Sequence, residues 1–117
     1  MRNIKNHTRA SVIRAKFTKA VGGNCKLFTA LQKKYAECLD KDESVETFEA
    51  NVVVDQLPIE GVYTTDFVVK YKDGTAMAWE TVLRRHITKP QTMKLLSLSR
   101  AYWLRRGVKW GIVTEAE

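Results

Sequence analysis

Residues 63–82 constrain the fold more than any other part of this chain. Two apolar, β-branched runs flank the tripeptide Lys72-Asp73-Gly74. They read Tyr63-Thr64-Thr65-Asp66-Phe67-Val68-Val69-Lys70-Tyr71 and Thr75-Ala76-Met77-Ala78-Trp79-Glu80-Thr81-Val82, and the pattern predicts a β-hairpin. Each strand carries an acid inside its apolar run, where ionised side chains are rarely placed without a reason. The turn decides whether the two acids meet. A two-residue Asp-Gly loop pairs Asp66 with Thr81 and puts Glu80 on the opposite face. A three-residue loop, with Gly74 in the left-handed position of a bulge, pairs Asp66 with Glu80. Their Cβ atoms are then about 5 Å apart, where mutual repulsion is costly unless a cation joins them. That is the geometry of a hard-metal site with oxygen ligands, such as Mg²⁺ or Mn²⁺. The plainer alternative is a pair of solvated carboxylates on an edge hairpin.

The remaining sequence narrows the class of protein. At 117 residues the chain makes one domain with an ordinary core. No apolar run is long enough to span a membrane or follows the basic N-terminus as in a signal peptide. The expected setting is the cytosol of a bacterial or infected host cell, without a membrane partner. Cys25 and Cys38 make neither a disulfide framework nor a zinc pattern, and Cys38, on an apolar helix face, is expected to be buried.

The net charge of +7 is unevenly distributed. No acid precedes Glu37, while Arg2, Lys5, Arg9, Arg14, Lys16, Lys19, Lys26, Lys33 and Lys34 all do. A second basic group includes Arg84, Arg85, Lys89, Lys94, Arg100, Arg105, Arg106 and Lys109. Such asymmetry favours a polyanionic partner, nucleic acid first, over a merely basic soluble protein.

Along the chain, residues 1–23 read as a basic arm, in which Val12, Ile13 and Phe17 allow a short amphipathic helix. Residues 24–117 form the single domain. Asn24 is a plausible N-cap for a helix with Leu27, Phe28, Leu31, Tyr35, Cys38 and Leu39 on its apolar side. Gln32 lies toward that side, either satisfied by neighbours or part of a site. The segment Asp40–Ser44 reads as a loop and Val45–Asp55 as a strand. After the hairpin, 84–89 is a polar connection. Thr88 and Pro90 begin a helix that runs to Arg106 and stops at Gly107, and Val108–Thr114 is a final strand. The fold class is a mixed α+β (α/β) domain, a small mixed sheet flanked by helices. Its last strand follows a helical crossover and so can lie parallel to a hairpin strand.

Several of these pieces resemble the N-terminal catalytic domain of the TnsA-type transposon endonucleases, a branch of the PD-(D/E)XK nucleases. The resembling pieces are Val45-Glu46-Thr47-Phe48-Glu49, the Tyr63–Phe67 strand, the glycine hairpin leading into Glu80-Thr81-Val82, and the helix and strand from Lys94-Leu95 through Arg100–Trp103 to Glu115. The resemblance implies a restriction-endonuclease-like core. It also implies that Asp66 and Glu80 are the metal-binding and catalytic acids holding Mg²⁺ or Mn²⁺, which would polarise the scissile phosphate and help to generate hydroxide.

Two departures weigh against cleavage. Gln32 stands where the family's helix glutamate would be, completing the candidate set Gln32, Asp66 and Glu80 without its charge. Val82 occupies the position of the family's lysine and can neither orient water nor balance transition-state charge. Lys70 lies about 13 Å along the strand from Asp66, and Arg84 and Lys94 are further candidates, although an arginine cannot act as a base. The expectation is a nuclease-fold protein that engages nucleic acid through Lys33, Lys34, Arg84, Arg85, Lys89 and Lys94, with catalysis weakened or lost. The alternatives are an active Mg²⁺- or Mn²⁺-dependent endonuclease with a relocated basic residue, and a small phage or mobile-element protein that modulates a host protein. The targeting domain carried by the family's longer members is not expected in this chain, which leaves room for a protein partner to supply targeting.

Overall fold

The computed structural model describes residues 12–115. Residues 13–27 form a hairpin in place of the helix expected there: β1 (Ile13–Lys16) and β2 (Asn24–Leu27) are antiparallel, with Arg14 opposite Lys26. Asn24-Cys25-Lys26-Leu27 alternates exposed and buried residues, the period of a strand. Gly22 and Gly23, both at φ 78°, supply the reversal that side-chain-bearing residues resist. Asn24 is therefore not a helix cap. Residues 1–11 of the expected basic arm lie outside the described residues.

Helix α1 (Ala30–Lys41) begins two residues beyond β2. Thr29 caps it, its Oγ1 accepting from the Gln32 amide at 3.0 Å. Thr29 and Gln32 form the Thr-x-x-Gln pattern that marks helix starts. Gln32, Ala36 and Leu39 make the buried stripe, which leaves Cys38 exposed, contrary to expectation, while Cys25 is the buried thiol.

The main sheet comprises β3 (Val45–Val54), β4 (Tyr63–Tyr71), β5 (Ala76–Thr81) and β6 (Lys109–Val113), in the order β3-β4-β5-β6. The hairpin closes through three residues. Tyr71 donates to the Thr75 carbonyl at 2.9 Å, Gly74 donates to Tyr71 at 3.0 Å, and Gly74 adopts φ 90°. Lys70 then pairs with Ala76 and Phe67 with Trp79, so one further step sets Asp66 opposite Glu80.

The connection at 84–89 contains a single helical turn, α2 (Arg84–Ile87), before α3 (Pro90–Arg105), which has Pro90 in its first turn. The crossover brings β6 parallel to β5, with Glu80 beside Ile112. The result is the mixed α+β architecture expected from the sequence.

The helices cover opposite faces of the sheet. Phe67 and Val69 pack with Ala36 and Leu39 of α1, whereas Val68 and Ala78 pack with Leu95 and Trp103 of α3. Neighbouring strand residues point to opposite faces, so this division follows from alternation. Among the described residues no helix is long and apolar enough to cross a membrane.

Candidate active site

Alternation fails at one place, and the candidate residues gather there. On β3, Ala50 packs on the α1 side and Val52 on the α3 side, while Asn51 between them takes φ 51°. A positive φ is uncommon outside glycine, and asparagine is among the residues that tolerate it best. On β4, Phe67 belongs to the α1 side, yet its neighbour Asp66 also accepts a hydrogen bond from α1. The ladder is continuous across this step, with Ala50 opposite Phe67 and Val52 opposite Thr65. Asn51 thus lies opposite Asp66, and both turn toward α1 out of phase with their strands.

The Gln32 side chain joins them. Its Nε2 donates to Asp66 Oδ1 at 2.6 Å and to Asn51 Oδ1 at 2.8 Å, and its Oε1 accepts from the Phe28 amide at 2.8 Å. The second carboxylate oxygen, Asp66 Oδ2, accepts from the Thr81 amide and from Thr81 Oγ1 at 2.9 Å. Asn51 in turn donates to the Lys26 carbonyl at 2.7 Å, fastening β2 to the cluster. Gln32 and Asp66 are buried, at 0% and 1% exposure. A buried carboxylate needs this many donors. A glutamate at position 32 could donate to neither Asp66 nor Asn51.

Glu80 takes the other face. Its Oε2 accepts from Ser99 Oγ at 2.6 Å and from Thr65 Oγ1 at 3.2 Å, and its Oε1 from the Asp66 amide at 3.4 Å. Trp103 Nε1 donates to Thr65 Oγ1 at 2.8 Å, closing the network against α3. Strand β5 keeps its alternation: Trp79 and Thr81 serve the α1 side, Ala78 and Glu80 the α3 side. In an unbroken β4, Asp66 would share Glu80's face, as Phe67 shares that of Trp79. The break at Asp66 and Phe67 turns its carboxylate through the sheet. Of the two registers that the turn allowed, the structure shows the three-residue one, and the side chains nonetheless engage different layers.

The basic candidates are spread over the surface. Lys33 and Lys34 are exposed on α1, Arg84 and Arg85 on α2, Lys89 and Lys94 at the start of α3, and Lys70 on β4. Val82 is buried, and its amide donates to the Val113 carbonyl at 2.9 Å. The Arg84 amide donates to Glu115 Oε1 at 2.8 Å, a bond that, first among its causes, holds the Glu115 carboxyl below the usual range.

Five participants were not singled out from the sequence: Asn51, Thr65, Thr81, Ser99 and Trp103. Asn51 was visible as a lone amide within a β-branched run. Ser99, four residues beyond Leu95 and four before Trp103, was visible as a small polar residue on an apolar helical stripe. Nothing local marked Thr65 or Thr81.

A sequence model described as TnsA-like endonuclease N terminal matches residues 41–115. The chain belongs to this family. The matched span contains Asp66, Glu80 and Val82, whereas Gln32 and the β1–β2 hairpin lie before it. No curated protein matches the chain.

The TnsA-like resemblance implies a divalent cation, and the residues as arranged do not fit one. Mg²⁺ demands near-octahedral oxygen ligation at about 2.0–2.1 Å and usually retains several waters. Here the Asp66 and Glu80 carboxylates are 1% and 0% exposed, accept from protein donors, and face different layers. Among the described residues, no group of three or more His, Cys, Asp or Glu side chains is placed to hold a metal.

Proposed function

We propose that this TnsA-like domain is a nuclease-fold DNA-binding protein whose metal-dependent cleavage is weakened or lost. The observation that carries this reading is that the buried Asp66 and Glu80 carboxylates accept from different helices, Asp66 from Gln32 on the α1 side and Glu80 from Ser99 on the α3 side. A cation joining the two acids would have to displace Gln32 or Ser99 and rotate one carboxylate through the sheet. Val82 adds to the argument, because its buried side chain cannot supply the positive charge or the oriented water of a phosphoryl-transfer transition state. DNA as partner is supported by the family and by the net charge of +7, since sequence-independent duplex affinity is largely electrostatic.

The experiment pairs two assays on the full chain. Supercoiled plasmid is incubated with protein and Mg²⁺ or Mn²⁺, and duplex binding is followed by fluorescence anisotropy over a salt series. The expected result is binding with a steep salt dependence and no nicked product above background. Metal-dependent nicking that disappears in Asp66→Asn would instead establish an active endonuclease. A chain that neither nicks nor binds points to a protein partner, to be sought by pull-down.

A further inference from the structure

We propose that the β1–β2 ribbon is a docking surface for the sugar-phosphate backbone of duplex DNA, with Arg14, Lys16 and Lys26 as its phosphate contacts. The proposal rests on the DNA-binding reading above and gives it a location outside the span that the family model matches.

Alternation divides the ribbon into two faces. Cys25 and Leu27 face inward and belong to the core, with Ile13 packed against it. The outward positions are Arg14, Lys16, Asn24 and Lys26, all exposed: three cations, one amide and no acid. The register aggravates the charge, because Arg14 lies directly opposite Lys26. Like charges at opposed cross-strand positions destabilise a sheet. Among the described residues none of the three cations has an ion-pair partner to offset this. Folding gains nothing from the arrangement, whereas a row of phosphates would relieve it. Lys19 makes a contrast, since its Nζ donates to the Asp42 carbonyl and its amide to Asp40 Oδ1. That lysine is engaged in holding the fold together.

The ribbon is also fixed in place, as a recognition surface must be. The Phe48 amide donates to the Lys19 carbonyl at 3.0 Å, and the Phe17 ring meets Phe48 edge-on at 5.9 Å. Asn51 holds the Lys26 carbonyl from beneath. A cleft of about 370 Å³ opens beside β2, lined by Asn24 and Lys26 on the ribbon side and by Glu49 and Asn51 on β3. The Glu49 carboxylate disfavours phosphate inside the cleft, which confines the backbone to the outer face of the ribbon. A two-stranded ribbon is narrow enough to follow a duplex groove.

The test measures affinity for a short duplex against salt for the wild type and for the double variant Arg14→Gln/Lys26→Gln. Each phosphate contact contributes about 0.9 to the slope of log affinity against log salt. The double variant should therefore lose about 2 from the slope, and bind at least tenfold more weakly at low salt. Its Tm should be equal to or above the wild type, because the opposed charges are gone. Lys72→Gln, which removes one charge at the turn of the other hairpin, should leave the slope unchanged. Retention of the wild-type slope by the double variant would overturn the ribbon assignment while leaving DNA binding intact. A lowered Tm accompanying the weaker binding would also overturn it, since the two cations would then serve folding. If the wild type binds no duplex, the DNA-binding reading fails first and the ribbon proposal fails with it.

Discussion

Asn51 and Asp66 lie opposite each other on β3 and β4, and both leave the strand alternation at the same step, turning toward the Gln32 side chain that bonds them. This paired kink is the central feature of the site. It separates two carboxylates that the hairpin register would otherwise bring face to face, and it makes Gln32 a donor on which the local fold depends.

Gln32→Ala should be among the most damaging single changes in the chain. It leaves the buried Asp66 without its 2.6 Å donor and removes the Gln32 partner from Asn51 Oδ1 and from the Phe28 amide. Unsatisfied buried groups cost about 1–3 kcal/mol each, and more when charged. A loss of about 2–4 kcal/mol is expected in urea unfolding. A loss below about 1 kcal/mol would place the network outside the stability-determining core.

Gln32→Glu tests the same bond from the opposite direction. The introduced carboxylate meets Asp66 where a donor used to be, so the metal-free variant should unfold at a lower temperature than the wild type. Mg²⁺ or Mn²⁺ should raise the Tm of this variant by more than that of the wild type, as a ligand bound only to the folded state does. Equal Tm values with and without metal for both proteins would show that an acid at position 32 does not create a cation site.

On the α3 face, Ser99→Ala removes the 2.6 Å donor to Glu80 and should cost about 1–3 kcal/mol. Trp103→Phe removes the donor to Thr65 and should cost about 1 kcal/mol. The two substitutions act within one connected network, so their effects should not add. Strict additivity in the double mutant would mean that Thr65 does not couple them.

Gly111 on β6 lies against the Trp79 ring, and a Cβ there would come within 2.5 Å of Cζ3. The ring has little freedom to move aside, because Trp79 Nε1 donates to Tyr71 Oη at 3.0 Å. Gly111→Ala should therefore destabilise by about 1–3 kcal/mol through overpacking, with a change in tryptophan emission. Combining it with Trp79→Leu should recover much of the loss relative to Trp79→Leu alone. Failure to do so would assign the cost to the β6 backbone.

How much of this was legible in the sequence depends on how local the signal was. The hairpin at Lys72-Asp73-Gly74 could be read with two registers open, and the crossover helix allowed the last strand to lie parallel to a hairpin strand without saying which. The β1–β2 ribbon could not be read as easily, because Leu27 and Phe28 continue the apolar spacing of α1 backward across the true cap at Thr29. Cys38 was misplaced for the same reason, since the extended stripe rotated the expected buried face. The opposite orientation of Asp66 and Glu80 depends on Asn51, whose backbone conformation acts across the strand and leaves no trace beside either acid.

The cysteines offer a check on the core. Burial, and then the charge of Asp40, raises the Cys25 thiol pKa, while Cys38 is exposed. A thiol reagent should modify Cys38 in the native protein and Cys25 only on unfolding. A raised folded-state pKa gives stability that is present below the unfolded thiol value and is lost as pH rises through the folded one. Tyr35, pushed up chiefly by burial, acts in the same direction. The urea midpoint should therefore decline above about pH 8.5, less so in Cys25→Ala; prompt modification of both thiols in the native protein would contradict the buried position of Cys25.

The bond from Gln32 to Asp66 also bears on which substitutions the fold admits. A glutamate in place of the amide sets two buried acids in contact, a repulsion that only a bound cation would relieve. A lysine in place of Val82 would bring an ammonium to a buried position, which is costly without a charged partner. Each exchange is costly on its own, so the kinked strands and their amide make this part of the sheet resistant to change one residue at a time.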